Sequence, residues 1–168
     1  MNRKLKYKVY DQLYSVFHES SKCYYCGDLV AGFDHCPPLH YTWTKGTDYL
    51  YENRIPMYKV SCCSDCNSSL GNRFYGSLQG RAEYIYTRLH QRFLEQLASP
   101  YWSNKEIQEL DSSLRIAIEN NELVRGWLER RFKWLREVHL IPLSIKQDCL
   151  DLVLTRQYEL KNERLKSV

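Results

Sequence analysis

Apolar side chains recur at steps of three and four residues in the part of the chain that follows Gly80. Such spacing is typical of amphipathic helices. It predicts a first helix over residues 81–97, which ends ahead of Pro100 because proline lacks the backbone donor that a helix needs. The apolar stripe of this helix consists of Tyr84, Ile85, Leu89, Phe93, Leu94 and Leu97.

Three more helices are predicted after this one. Ser103 and Glu106 have the spacing of a capping box, which predicts the start of a helix. Apolar residues at helical spacing over 123–138 predict the next helix. Ser144 is a candidate cap for the last helix, which runs toward Leu165. The sequence after residue 80 is therefore expected to form a helical scaffold.

The first eighty residues show shorter and more varied patterns. Apolar steps of three and four residues predict an amphipathic helix over 3–18. A short apolar stretch predicts a strand that ends near His35, and Tyr58–Cys62 alternates well enough to form a second strand. Residues 40–54 lack a clear period and are predicted to be a loop. A short helix is expected to begin at Cys66.

At 168 residues the chain is long enough to bury a substantial core and suits one domain. We expect a single domain over 1–168, of the α+β class. Within it, an N-terminal helix (1–21) and a helical scaffold (81–168) would flank a small metal-bearing module (22–80).

Four of the seven cysteines occur in two C-x2-C pairs, Cys23 with Cys26 and Cys63 with Cys66. Two such pairs can supply four thiolates to one tetrahedral zinc ion, so we predict a structural zinc clamp. The register of the second pair is open, because Cys62-x3-Cys66 competes with the C-x2-C spacing.

A second group of polar residues lies close to these pairs. Asp34 and His35 are adjacent between the two pairs, and Asn67 directly follows Cys66. A carboxylate, an imidazole and a carboxamide can together form a harder metal site with a base beside it. A capping role at a helix start is the alternative for Asn67.

The chain carries 24 Lys and Arg against 20 Asp and Glu, a net charge of +4, together with 14 Tyr and 4 Trp. This balance permits nucleic-acid binding without requiring it. Arg73 and Arg81 follow the predicted metal site and are candidate phosphate contacts. Arg130 and Lys133, from a locally basic stretch, are further candidates.

The seven cysteines and the hydropathy pattern also bear on the compartment. An odd number of cysteines, with four of them in metal-type pairs and no apolar signal segment, argues against a disulfide scaffold. No apolar run approaches the ~20 residues that span a bilayer. We expect a cytoplasmic protein with reduced thiols and no membrane contact.

Residues 22–73 resemble the HNH or ββα-metal nucleases, in the branch where two C-x2-C knuckles hold the fold. The resemblance implies that 22–80 form a zinc-supported ββα-metal module within the mainly helical chain. The matching residues are Cys23-x2-Cys26, Asp34-His35 with Pro37-Pro38 soon after, and Cys63-x2-Cys66-Asn67.

The resemblance also implies roles for the polar residues. Asp34 and Asn67 would hold one catalytic divalent cation, Mg²⁺ or Mn²⁺, since these ions prefer oxygen ligands. His35 would be the general base that takes a proton from the attacking water. We therefore expect an endonuclease that hydrolyses phosphodiester bonds in DNA, with RNA left open as a substrate. A non-catalytic zinc-containing module that binds nucleic acid is the alternative.

One position departs from the family pattern. The family commonly has an asparagine where this chain has Tyr58, and the nearest asparagine is Asn53. The group that orients His35 is therefore left open. The apolar helices after residue 80 are expected to offer a surface for a homodimer, which would bring two nuclease sites together.

Overall fold

The structure is a computed structural model that describes residues 16–18 and 21–166. The chain divides into two compact units, Met1–Ile85 and Tyr86–Val168. The division lies close to the change of character predicted near residue 80. The single domain stays a prediction, because compactness does not measure whether the two units unfold together.

Three strands and several short helices make up the described part of the first unit, and longer helices dominate the second. A small sheet in a mainly helical chain agrees with the predicted α+β class. The elements in chain order are β1 (Val16–His18), β2 (Gly32–Cys36), α1 (Leu39–Lys45), α2 (Thr47–Glu52), β3 (Tyr58–Cys62), α3 (Ser64–Leu70), α4 (Leu78–Arg92), α5 (Leu94–Ala98), α6 (Asn104–Gln108), α7 (Ser112–His139) and α8 (Leu143–Lys166).

The sheet has the strand order β1-β3-β2, with β1 parallel and β2 antiparallel to β3. Asp34 pairs with Val60, and His35 pairs with Lys59. Because successive strand residues point to opposite faces, these two pairs lie on opposite faces of the hairpin. Asp34 and Val60 are buried, whereas His35 and Lys59 are only partly buried. Both strands predicted from the sequence, β2 and β3, are confirmed.

The helix predicted over residues 3–18 is not supported at its end. Val16–His18 forms strand β1, which pairs with Tyr58–Val60 of β3. The rest of that helix lies outside the described residues.

The loop predicted over residues 40–54 is wrong, since α1 and α2 occupy most of it. Gly46, with φ of +84°, separates the two helices. Neither helix is long enough to show a helical period in the sequence. Leu50 and Met57 are buried and form a small core cluster, against which Leu39 and Ile55 pack. Burial of this cluster, rather than periodicity, explains the two helices.

The helix predicted to start at the capping box is confirmed. Ser103 Oγ accepts from the Glu106 backbone N–H at 3.3 Å, and Glu106 accepts from the Ser103 backbone N–H at 2.7 Å. The helix ends at Gln108, and Asp111 caps a new helix by accepting from Ser113 and Leu114 N–H groups at 2.9 Å.

Helix α7 is a single 28-residue helix that contributes several buried residues to the second unit. The last helix begins at Leu143, so Ser144 lies inside it and is not its cap. Among the described residues, no helix is both long and apolar enough to cross a membrane. The buried residues of α7 are Ile118, Arg125, Leu128, Arg131, Phe132, Leu135 and His139.

Candidate metal centre and adjoining cleft

The first C-x2-C pair lies on a tight turn. The Gly27 N–H donates to the Cys23 carbonyl oxygen at 2.9 Å, and Gly27 adopts a positive φ of 77° that glycine tolerates without a Cβ clash. The Tyr24 N–H donates to the Ser61 carbonyl oxygen at 2.8 Å. The turn is therefore fastened to strand β3, beside the second cysteine pair.

The second pair lies at the start of α3. Cys63 is the N-cap of this helix, and its Sγ accepts from the Cys66 N–H at 3.4 Å. A hydrogen bond of this kind stabilises a thiolate. The helix begins at Ser64, slightly before the predicted start. Asn67 is therefore not the cap, which removes the alternative role considered for it.

The four sulfur atoms meet in one buried cluster. Cys23, Cys26, Cys63 and Cys66 have their Sγ atoms within 4.8 Å of one another, and the Cys26 and Cys63 sulfurs are 3.6 Å apart. A tetrahedral zinc ion with Zn–S bonds of about 2.3 Å would hold its ligands about 3.8 Å apart. The cluster therefore fits a metal ion such as zinc.

The structure also resolves the register of the second pair. Cys63, and not Cys62, belongs to the four-sulfur cluster. Cys62 is also buried, but it does not belong to that group of four.

Asp34 is in a buried ion pair. Arg81 donates from Nη2 to Asp34 Oδ1 at 2.7 Å and from Nε to Oδ2 at 2.9 Å, and the Tyr25 hydroxyl donates to Oδ2 at 2.5 Å. Arg81 is 0% exposed and Asp34 is 3% exposed. Burial raises the pKa of the Asp34 carboxyl, while Arg81 and Tyr25 act in the opposite direction.

This pair changes two of the predicted roles. Arg81 was expected to contact phosphate, but its guanidinium has no solvent exposure and is committed to Asp34 and to the Arg73 carbonyl oxygen at 2.6 Å. Asp34 was expected to bind a divalent cation, but a guanidinium already neutralises its charge. The carboxylate as placed therefore does not fit an oxygen site for Mg²⁺ or Mn²⁺.

The backbone of Tyr75 packs closely against the residue that precedes Arg81. The preceding residue is Gly80, and a Cβ at this position would lie 2.2 Å from the Tyr75 carbonyl oxygen. The Arg81 guanidinium also lies 5.9 Å from the centre of the Tyr75 ring. The segment between α3 and α4 is thus packed tightly around the arginine.

His35 and Asn67 meet in one cleft. They line a cavity of about 300 Å³ together with Asp34, Lys59 and Asn72. His35 comes from the partly buried face of β2, and Asn67 comes from the exposed side of α3. Residues far apart in the sequence are thereby brought to a common polar surface next to the cysteine cluster.

Two members of this region were not recognised from the sequence. Tyr25 lies inside the first C-x2-C pair and donates to Asp34, and Lys59 lines the cleft. For Lys59 the signal was the pairing register of two short strands, which places it opposite His35. The sequence alone does not fix that register, because the polar and apolar residues alternate over only a few positions.

The remaining basic candidates lie on the surface. Arg73 is exposed in the first unit, and Arg130 and Lys133 are exposed on α7 in the second. The Lys133 ammonium lies 3.9 Å from a Glu137 carboxylate oxygen. By contrast, Arg125 and Arg131 of the same basic stretch are buried. The stretch therefore has fewer cations available to a ligand than its sequence suggests.

Comparison with protein-family models, with curated proteins and with solved structures finds no match.

Proposed function

We propose that the protein is a zinc-supported ββα-type endonuclease that hydrolyses phosphodiester bonds in DNA. The single observation that carries this proposal is the meeting of His35 and Asn67 in one polar cleft beside four clustered cysteines. The elements β2, β3 and α3 follow one another in the order that the family resemblance requires. Zinc in the cluster would fix the start of α3 and thus the position of Asn67.

In this proposal His35 is the general base. Imidazole is the side chain most often used to take a proton from water near neutral pH. His35 is partly exposed on the wall of the cleft, where a water molecule and a phosphodiester can both reach it. Asn67 offers an amide that can contact the phosphate or a bound water.

The catalytic Mg²⁺ or Mn²⁺ expected from the family stays a prediction. Its expected carboxylate ligand, Asp34, is paired with Arg81. Mg²⁺ and Mn²⁺ are therefore varied in the cleavage assay that tests this proposal.

The test is a cleavage assay with zinc-loaded protein on plasmid, duplex, branched and single-stranded DNA, and on RNA, with Mg²⁺, Mn²⁺ or chelator. We expect DNA cleavage, and a loss of about 10²- to 10⁴-fold in His35→Ala, the range typical of a lost general base. His40→Ala is the matched control, because His40 is exposed on α1 and does not line the cleft. Equal activity in His35→Ala and the parent protein would refute the assignment.

The Asp34–Arg81 pair favours a second candidate. If the carboxylate never leaves the guanidinium, the cleft lacks an anionic cation ligand, and the protein is a non-catalytic zinc module that binds nucleic acid. Binding of DNA at low salt without cleavage under any metal condition would support this second function and exclude the first.

A homodimer would allow both strands of a duplex to be cut. Leu150, Leu154 and Tyr158 are exposed on α8 at steps of four residues, which supports a contact along this helix. Light scattering on the purified protein is expected to give twice the mass of one chain, and Leu154→Glu is expected to restore the single-chain mass.

A further inference from the structure

Lys59 lies next to the proposed base because of the strand register. In the antiparallel pair of β2 and β3, Lys59 is directly opposite His35. Directly opposed residues project to the same face, with Cβ atoms about 4.5–5.5 Å apart. Pairing of the two strand backbones therefore places the Lys59 and His35 side chains next to each other.

The charge of the cleft is set by this lysine. Among the residues that line the cavity, Lys59 has a cationic side chain and Asp34 an anionic one. The Asp34 charge is already balanced by Arg81 at 2.7 Å. The cleft thus has a positive balance and is suited to an anion.

Helix α3 and the turn after it supply amide groups to the cavity lining. Asn67 and Asn72 both line the cavity. Between them, Gly71 has φ of +53°, and its N–H donates to the Asn67 carbonyl oxygen at 3.0 Å. This turn ends α3 and brings Asn72 to the same cleft. Neutral amide donors and an ammonium lining one cavity are a suitable set for a phosphate.

One further contact places the ammonium. The Lys59 Nζ atom lies 4.7 Å from the centre of the Phe33 ring, which also lines the cavity. Phe33 and His35 are on the same face of β2, so the ring lies beside the base along the strand. The cation–π contact holds the Lys59 ammonium against a ring that lines the cleft.

We propose that Lys59 binds the phosphate of the scissile phosphodiester and places it beside His35. This inference rests on the proposed nuclease function for the identity of the ligand. It assigns to Lys59 the role that the sequence had suggested for Arg81, which is buried. A lysine acts on phosphate as a compact point charge, so one contact to a phosphate oxygen is expected.

The test measures binding separately from cleavage. Fluorescence anisotropy with labelled single-stranded and duplex oligonucleotides is carried out in the His35→Ala background, from 50 to 200 mM salt. Lys59→Gln is expected to lower the affinity. It should also reduce the slope of log affinity against log salt by about 0.7 on single strands and about 0.9 on duplex, the loss of one phosphate contact.

Two further variants separate charge from structure. Lys59→Arg retains the positive charge and is expected to keep most of the affinity and the full salt slope. Lys45→Gln is the matched control, because Lys45 is exposed on α1 and does not line the cleft, and its slope is expected to be unchanged. Zinc content and the far-UV CD spectrum of each variant verify that the fold is intact.

An unchanged affinity and salt slope in folded Lys59→Gln would overturn the inference. This failure is distinguishable from failure of the nuclease proposal. Cleavage that survives His35→Ala refutes the nuclease mechanism and leaves the binding result standing. Conversely, loss of cleavage in His35→Ala together with an unchanged slope in Lys59→Gln refutes only the role of Lys59.

Discussion

The two compact units bury arginine in different ways. In the first, Arg81 is paired with a carboxylate and a tyrosine contacts the same carboxylate. In the second, Arg125 donates to the backbone carbonyl oxygens of Gln96, at 2.9 Å, and of Ser99, and its guanidinium lies 4.1 Å from the Tyr101 ring centre. The first arrangement buries both members of an ion pair. The second buries only the cation, which is bound by backbone carbonyl groups and by the more exposed Glu122 carboxylate, 3.1 Å from Arg125 Nη1.

This difference indicates which substitutions should destabilise each unit most. A buried ion pair is strongly destabilised when one partner is removed, because the other charge is left uncompensated. The four-cysteine cluster has the same property, since its thiolates need a cation. The second unit instead buries periodic apolar residues along α7, and their contributions are spread over many positions. Single substitutions should therefore have larger effects in the first unit.

The largest effect is expected from the cysteine cluster. Cys66→Ser removes one of four thiolates, and structural zinc contributes on the order of 10 kcal/mol to folding at neutral pH. We expect the variant to lose stoichiometric zinc, measured by metal analysis, and to lose the structure of the first unit by NMR. Cys149→Ala is the control, because Cys149 is a buried thiol of the second unit. Zinc retained in Cys66→Ser would contradict the cluster as the metal site.

The next effect is expected from the ion pair. Arg81→Met leaves the Asp34 carboxylate buried without its partner and is expected to cost about 3–5 kcal/mol in urea unfolding. The double variant Arg81→Met with Asp34→Leu removes both charges and should recover much of that loss. Arg88→Met, at an exposed position on the same helix, should change little. A loss in the double variant equal to the sum of the losses in Arg81→Met and Asp34→Leu would show that the two charges are not coupled.

A smaller effect is expected from the capping box. Ser103→Ala removes the side chain that accepts from the Glu106 N–H and should cost about 1 kcal/mol. Ser144→Ala is the control, since Ser144 lies within α8 and caps nothing there. Urea midpoints of the two variants compare an observed cap with one suggested only by sequence. A larger loss at Ser144 would reverse their assignment.

The smallest effect is expected from acidification of the second unit, because it involves one imidazole. Burial lowers the pKa of His90, whose Nδ1 lies 3.0 Å from the Tyr86 carbonyl oxygen, and the nearby Arg136 charge lowers it further. The unfolded chain then binds a proton more readily than the folded one. Stability is therefore complete above the unfolded pKa of about 6.5 and is lost as pH falls through the folded pKa.

His90→Gln tests this dependence. The glutamine keeps a donor for the Tyr86 carbonyl oxygen but does not titrate between pH 5.5 and 7.5. The urea midpoint of the parent protein should fall more between these pH values than that of the variant. Equal changes would assign the acid sensitivity to other groups.

Local patterns predicted much of the fold. Strand β2 was predicted from a short apolar stretch and β3 from its alternation, and the capping box at Ser103 was predicted because its partners are three residues apart. The predicted cysteine pairs lie in one cluster, since each C-x2-C turn forms locally. Short-range relations of this kind are visible in the sequence itself.

The roles of Asp34 and Arg81 could not be predicted in the same way. These residues are far apart in the chain, and neither carries a local signal that it will pair with the other. The same holds for Lys59, whose position beside His35 follows from the register of β2 and β3. The sequence therefore predicted the residues close to the cysteine pairs. It did not predict the ion pair of Asp34 and Arg81 or the position of Lys59.

Gly80 bears on how a mutational scan of this protein would be interpreted. The backbone of Tyr75 occupies the space that any side chain at Gly80 would need, at 2.2 Å from the ideal Cβ. Even Gly80→Ala would force the first turn of α4 outward and draw Arg81 away from Asp34. Such a scan would score this glycine as essential, although it belongs to neither the cysteine cluster nor the cleft lining. Its intolerance to substitution would reflect the close approach of the Tyr75 backbone to this position.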